Sequence, residues 1–199
     1  GGRSELMAKL HFYYSSMNAG KSTALLQANH NYGERGMRTL LFTAGIDDRA
    51  GFGVISSRIG IEIQAIAFDK SDKLSTRLNA ELKNGHIDCI LVDEAQFLSR
   101  QQVKELASIV DQKNIPVLAY GLRTDFMGES FEGSQYLLAW ADEIREIKAI
   151  CHCGQKATMN ARIGESGEIE RAGEQIEIGG NERYVSLCRK CFSEGISGE

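Results

Sequence analysis

The hydrophobic pattern of this chain switches repeatedly between a strand period and a helix period. Residues 8 to 14 (Ala-Lys-Leu-His-Phe-Tyr-Tyr) predict a strand, and a helical pattern runs from Thr23 to about Arg35, where Gly36 ends it. Leu40 to Thr43 is a short apolar run suited to a buried strand. Ile61 to Phe68 is strand-like, and Lys73 to Lys83 suits a helix. Ile87 to Val92 predicts a third strong strand, which runs directly into Asp93-Glu94. Arg100 to Gln112 is amphipathic, with Val103, Leu106 and Val110 on one face. Ile115 to Tyr120 predicts a further strand, with the single proline, Pro116, near its start, where proline is best tolerated. Ser134 to Ala141 reads as helical, and Ile144 to Ile150 returns to strand. This alternation implies an α/β fold, a parallel sheet covered by helices on both faces.

Two stretches break the alternation. Asp47 to Gly60 holds Gly51, Gly53 and Gly60 among serines and arginines and reads as a long mobile loop, a length that usually signals function. From Cys151 onward the chain is Gly-rich, charged and poor in large aliphatics. Such a segment builds no core alone and calls for an external staple. Residues 1–6 read as an expression scar before a natural start at Met7.

Composition narrows the classes. The chain has 199 residues, of which 42% are hydrophobic and 25% charged, which suits a soluble globular protein of one domain plus a small appendage. A formal net charge of −4 argues against a main task of gripping nucleic acid. No apolar run reaches the length of a membrane span, and no basic-then-apolar leader is visible, so the expected address is cytoplasmic.

The chemistry concentrates in three places. Ser15 to Ser22 follows a predicted strand and opens a predicted helix, as a phosphate-binding loop of the form G-x-x-x-x-G-K-[ST] does. Ser15 stands at the first glycine position, where glycine takes φ > 0 at no cost and serine does not. Gly20, Lys21 and Ser22 match. Backbone N–H groups along Ser15, Ser16, Met17, Asn18, Ala19, Gly20, Lys21, Ser22 and Thr23 would cradle phosphate oxygens. Lys21 would meet the β and γ phosphates, and Ser22 would offer its hydroxyl to Mg²⁺. The second place is Asp93-Glu94, at a strand end where ligands of α/β sheets collect. Asp93 would hold Mg²⁺. Glu94 is then free to accept a proton, from a substrate hydroxyl in a kinase or from water in an ATPase. An ordinary strand-to-helix turn and a solvated strand end are the bland alternatives for these two.

The third is a pair of cysteine clusters, Cys151-His152-Cys153 and Cys188-Arg189-Lys190-Cys191. Four thiolates in two groups suit tetrahedral Zn²⁺ in a structural site, since four ligands leave no open position. His152 is a possible substitute for one thiolate. A redox C-x-x-C would leave the first pair unexplained. Cys89, alone in an apolar run, reads as core.

Taken together, these features resemble the type II, or cellular, thymidine kinases, closest to the enterobacterial type, from about Ala8 to Phe192. Asp93-Glu94-Ala95-Gln96-Phe97 looks like the D-E-x-Q-F segment of that family. Tyr120-Gly121-Leu122-Arg123-Thr124-Asp125-Phe126 looks like its nucleoside-side loop, and Gly179-Gly180-Asn181-Glu182-Arg183-Tyr184 before Cys188 looks like the segment that closes over the base. The resemblance implies transfer of the ATP γ-phosphoryl to the 5′-hydroxyl of thymidine with Mg²⁺, Glu94 as catalytic base, and Arg58 near the transferring phosphate. Ser57 stands where other members carry an aspartate. Met17, Phe97, Leu122, Phe126, Phe131 and Tyr184 match positions that line the thymine pocket, which on physical grounds should be apolar and aromatic with a few polar anchors. The implied organisation is a P-loop kinase domain over residues 7–150 and a zinc-ribbon or lasso domain over residues 151–199. Ala161 to Val185 would be the lasso itself, presenting backbone groups to the base. A homotetramer and end-product inhibition by dTTP are implied as well.

Two other classes are compatible with the same motifs. A P-loop ATPase motor or nucleic-acid module with a zinc ribbon would share the ATP site, yet the chain lacks a basic stretch interleaved with aromatics. A nucleotide-binding regulatory switch would show no nucleoside-dependent turnover.

Overall fold

The computed structural model describes residues 6–45, 52–57, 59–175 and 183–198. The described residues build a seven-stranded sheet from β1 (Leu10–Ser15), β2 (Thr39–Ala44), β3 (Phe52–Ser56), β4 (Glu62–Phe68), β5 (Cys89–Val92), β6 (Val117–Leu122) and β7 (Glu143–Glu146), in the order β3-β4-β2-β5-β6-β1-β7. All neighbours are parallel except β3, which pairs antiparallel with β4 at the edge.

Alternation along the strands supplies both faces. On β5, Ile90 and Val92 point into one apolar cluster, while Cys89 and Leu91 point into the other, and all four are fully buried. The first cluster lies under α2 (Leu74–Leu82), α3 (Arg100–Lys113) and α4 (Glu132–Trp140), where Val103, Leu106 and Val110 form the predicted buried face. The second is covered by α1 (Lys21–Glu34) through Leu25 and Leu26. Cys89 is core, as its surroundings suggested. A capping box closes the start of α3: Ser99 Oγ accepts from Gln102 N–H, and Gln102 Oε1 accepts from Ser99 N–H.

Two expectations change. The segment expected to be a mobile loop over Asp47 to Gly60 contributes the edge strand β3. Gly53 is the reason that edge can approach, because a Cβ there would lie 2.5 Å from the Thr43 methyl group. Ile144 to Ile150 is two elements rather than one: β7 ends at Glu146, and β8 (Ala149–Ile150) pairs instead with β9 (Lys156–Ala157).

The remainder forms a small second layer. β10 (Met159–Ile163) and β11 (Arg183–Leu187) are an antiparallel pair, followed by the short helix α5 (Arg189–Glu194). Its buried cluster is Cys151, Ala157, Ala161, Ile163, Leu187, Cys188, Cys191 and Phe192. Three of these eight are metal-ligand candidates, so little aliphatic packing is left to hold the unit.

Candidate active site

β1 ends at Ser15, and the chain turns through Asn18 (φ 61°) and Gly20 (φ 85°) into α1. The left-handed positions are therefore Asn18 and Gly20, residue types that tolerate that region, and Ser15 needs no positive φ because it is still strand. The serine at the first motif position imposes no backbone strain on the loop. Met17, Asn18, Gly20, Lys21, Ser22 and Thr23 line an open cavity of about 210 Å³. Ser15, Ser16 and Ala19 are not in its lining. Ser15 and Ser16 are buried, and their hydroxyls make no hydrogen bond among the described residues.

The acidic pair arrives from β5, two strands from β1 with β6 between. Lys21 Nζ donates to Asp93 Oδ1 at 3.1 Å and to Glu94 Oε1 at 2.8 Å, and Ser22 Oγ donates to Asp93 Oδ2 at 3.3 Å. Burial disfavours the charge on Lys21, but the two carboxylates outweigh it and hold the ammonium's pKa above its ordinary value. Glu94 is the mirror case: desolvation favours the neutral acid, yet the Lys21 ammonium and the Gln96 amide keep its pKa below the usual carboxylate range. Glu94 also sits at φ 54°, a strained conformation for a non-glycine residue and one found often at functional sites.

Two neighbours enforce that strain. Gln96 is buried. Its Nε2 donates to Glu94 Oε2 at 2.5 Å, and its Oε1 accepts from Leu122 N–H at 3.1 Å. Gly133 of α4 presses on the 3₁₀ turn Ala95–Phe97, where a Cβ at 133 would lie 2.2 Å from the Ala95 carbonyl oxygen. Ser134 Oγ donates to the Leu122 carbonyl.

A second cavity, of about 140 Å³, opens beside the first. All six residues matched to a base pocket line it: Met17, Phe97, Leu122, Phe126, Phe131 and Tyr184. Phe97 and Phe131 meet edge to face with centroids 5.5 Å apart. Met17, Glu94 and Leu122 line both cavities, so Glu94 stands where they meet.

Several polar residues in or behind this wall were not singled out from sequence. Asp125 accepts from the Met127 and Glu129 N–H groups and, through Oδ2, from Gln175 Nε2 at 3.0 Å. Asn160 bridges Met17 and Thr124. Arg162 is fully buried, with its guanidinium 3.6 Å from the centroid of Phe126. Its Nε donates to the Tyr184 hydroxyl at 3.0 Å and its Nη2 to the Glu174 carbonyl at 2.9 Å. In the sequence Asn160 and Arg162 read as ordinary polar residues, and only the pairing of β10 with β11 brings them to this wall.

Arg58 lies outside the described residues, as does the Gly179 to Glu182 part of the segment matched to base closure. Ser57 is described and lines the first cavity.

The sulfur atoms of Cys151, Cys153, Cys188 and Cys191 lie within 4.8 Å of one another. A tetrahedron with Zn–S bonds of ~2.3 Å places its sulfurs about 3.8 Å apart, and Cys153 and Cys188 are already at 3.7 Å. Burial opposes a thiolate at Cys151, but N–H groups of Cys153 and Cys188 and the neighbouring thiols bring its pKa down to about 6. Burial and the crowded thiols push Cys191 up to about 12. Four cysteine sulfurs this close together could hold a cation. His152 is directed elsewhere, with Nε2 at 3.0 Å from the Ile196 carbonyl oxygen.

A family model described as "Thymidine kinase" matches residues 8–192. The chain is 60% identical to the thymidine kinase of Shewanella oneidensis over 190 residues, 96% of this chain and 99% of that one. It is 59% identical to that of Escherichia coli K12 over 96% of this chain and 93% of the relative. For the thymidine kinase of Rhodopirellula baltica the figures are 58%, 96% and 90%.

Proposed function

We propose a mechanism on one premise: the chain belongs to the thymidine kinase family. It transfers the γ-phosphoryl of ATP to the 5′-hydroxyl of thymidine, giving dTMP for DNA synthesis. The observation that carries the mechanism is the position of Glu94, shared between a lysine-bearing phosphate cavity and an aromatic cavity of nucleobase character.

The sugar of a nucleoside in the aromatic cavity would direct its 5′-hydroxyl toward Glu94. Glu94, ionised through Lys21 and Gln96, accepts the hydroxyl proton as the oxygen attacks. Lys21 would exchange its carboxylate partners for phosphate oxygens, which releases Glu94 for this task. Ser22 and Asp93 would hold Mg²⁺, which neutralises charge on the transferring phosphate when bound. Arg58 would add a further positive charge there. The phenylalanines would clasp the base, and the hairpin would supply its edge contacts. Deoxyuridine, lacking only a methyl group, should also be accepted, since such a group is worth only ~1–3 kcal/mol of discrimination.

Zn²⁺ on Cys151, Cys153, Cys188 and Cys191 would anchor a lasso domain, residues 151–199, beside a kinase domain, residues 7–150. Adjacent base and phosphate cavities also suit dTTP, whose base and triphosphate would span both, as an end-product inhibitor. Exposed Val54, Ile59 and Ile61 on one side, and Leu138, Trp140 and Ile144 after α4 begins, suit two self-association surfaces of a homotetramer. A cytoplasmic location fits the salvage role, and no helix among the described residues is long and apolar enough to cross a membrane. A motor or nucleic-acid module that spends ATP on water would leave the aromatic cavity without a task.

Incubation with Mg-ATP and a panel of five nucleosides tests the reading. Monophosphate formed from thymidine and deoxyuridine, but not from deoxycytidine, deoxyadenosine or deoxyguanosine, is the expected result. ATP hydrolysis indifferent to every nucleoside would end it.

A further inference from the structure

The phosphate loop is not held by its own strand and helix alone. The peptide flanks of Met17 are gripped from the C-terminal hairpin: Asn160 Oδ1 on β10 accepts from Met17 N–H at 2.5 Å, and Ser186 Oγ on β11 donates to the Met17 carbonyl. Asn160 and Ser186 are register partners across the antiparallel pair, so their side chains share one face and reach one loop residue together. Asn160 is only 2% exposed, and its Nδ2 donates to the Thr124 carbonyl at 2.7 Å on the nucleoside-side loop. The next loop residue joins in, with Asn18 Nδ2 donating to the Tyr184 carbonyl at 3.4 Å.

This grip has two consequences. The Met17 N–H is committed to Asn160, so phosphate is left to the N–H groups that follow it. The hairpin that walls the base cavity also sets the direction of those groups. We propose that Asn160 and Ser186 are positioning residues that join the hairpin and the P-loop into one unit, so that nucleoside and ATP each tighten the binding of the other. Given the nucleoside kinase reading, on which this rests, the physical basis is shared ordering. A nucleoside that fixes the hairpin fixes Asn160 and Ser186, and the loop then meets triphosphate already arranged. Coupling of this kind is reciprocal by linkage.

Calorimetric titration of the zinc-loaded full chain decides it. A non-hydrolysable ATP analogue with Mg²⁺ is titrated with and without saturating thymidine, and thymidine with and without the analogue. In the wild type each ligand should tighten the other by about 5-fold to 20-fold, equally in both directions. Asn160→Ala and Ser186→Ala should bring that factor close to 1, while Ser186→Thr, which keeps the hydroxyl, should retain it. A purely structural role would weaken both ligands and leave their mutual factor alone. Should one alanine variant lose its circular dichroism signature, the other decides. No coupling in the wild type, or wild-type coupling in a folded alanine variant, would overturn the proposal. A wild type that binds no thymidine would instead remove the kinase reading beneath it.

Discussion

The two sides of the cleft are built by different physics. The phosphate side rests on a sheet whose faces are packed with aliphatic and aromatic residues under four helices. The base side rests on a short hairpin whose buried cluster is mostly cysteine, alanine and a few larger residues, tied down by hydrogen bonds, a buried guanidinium and the four-thiol cluster. The first is stable because apolar area is removed from water, and the second because specific polar groups and a metal donor set converge. Perturbations of folding stability should therefore act on one side and spare the other, even though ligand binding couples the two.

Removing the group shared by both sides should have the largest effect. Glu94→Gln should lower dTMP formation by about 10²-fold to 10⁴-fold in kcat, with thymidine binding retained. A variant within a few-fold of wild type in a steady-state assay would remove the proton-acceptor role. Next in size, Cys188→Ser or chelation should reduce bound zinc from about one per chain and raise thymidine KM on the order of tenfold or more, while the sheet keeps its far-ultraviolet signature. Collapse of the whole fold on chelation would show that the two sides are not separable in this way.

Gly133→Ala asks how far the aliphatic side controls the Ala95–Phe97 turn. With a carbonyl oxygen 2.2 Å from the new Cβ, α4 or the Ala95–Phe97 turn must shift. A cost of about 1–3 kcal/mol in denaturant unfolding is expected, with a fall in kcat. The smallest effect is that of pH on the Lys21–Glu94 pair. Glu94 has its folded pKa below its ordinary 4.5, so the pair's stabilisation is complete above that value and is lost as pH falls through the lowered one. Lys21, raised above 10.5, sets the opposite limit and loses its contribution only as pH rises through its folded value. The melting-temperature advantage of wild type over Glu94→Gln should thus shrink on acidification from pH 7. A constant advantage would assign it to packing.

The same division explains what could be read from sequence. The sheet was legible because apolar periodicity writes itself along β1, β2, β5 and β6, and the turn from β1 into α1 because its glycine and lysine sit at a strand-to-helix junction. β3 was missed because Gly53 and its neighbours look like loop, and the reason for that glycine is a close contact with Thr43 on another strand. Gln96, Asn160 and Arg162 were missed for a related reason. Polar residues in a chain are read as solvated until a pairing partner distant in sequence buries them. Gln96 bonds Leu122 and Asn160 bonds Met17, separations that no local pattern encodes. The aromatic residues that line the second cavity were singled out by resemblance alone, since an isolated phenylalanine gives no sign of whether it faces core or a cavity.

Met17, Glu94 and Leu122 each face both cavities. Residues in that position are poor places for a lineage to vary. On the proposed function, a change that reshapes the seat of the base there would also alter the seat of the phosphates, so selection on one would be felt by the other. Phe97, Phe126 and Phe131 face the aromatic cavity alone, and on the proposed function they offer the freer route by which a new nucleoside preference could arise, or be engineered, without a loss of turnover.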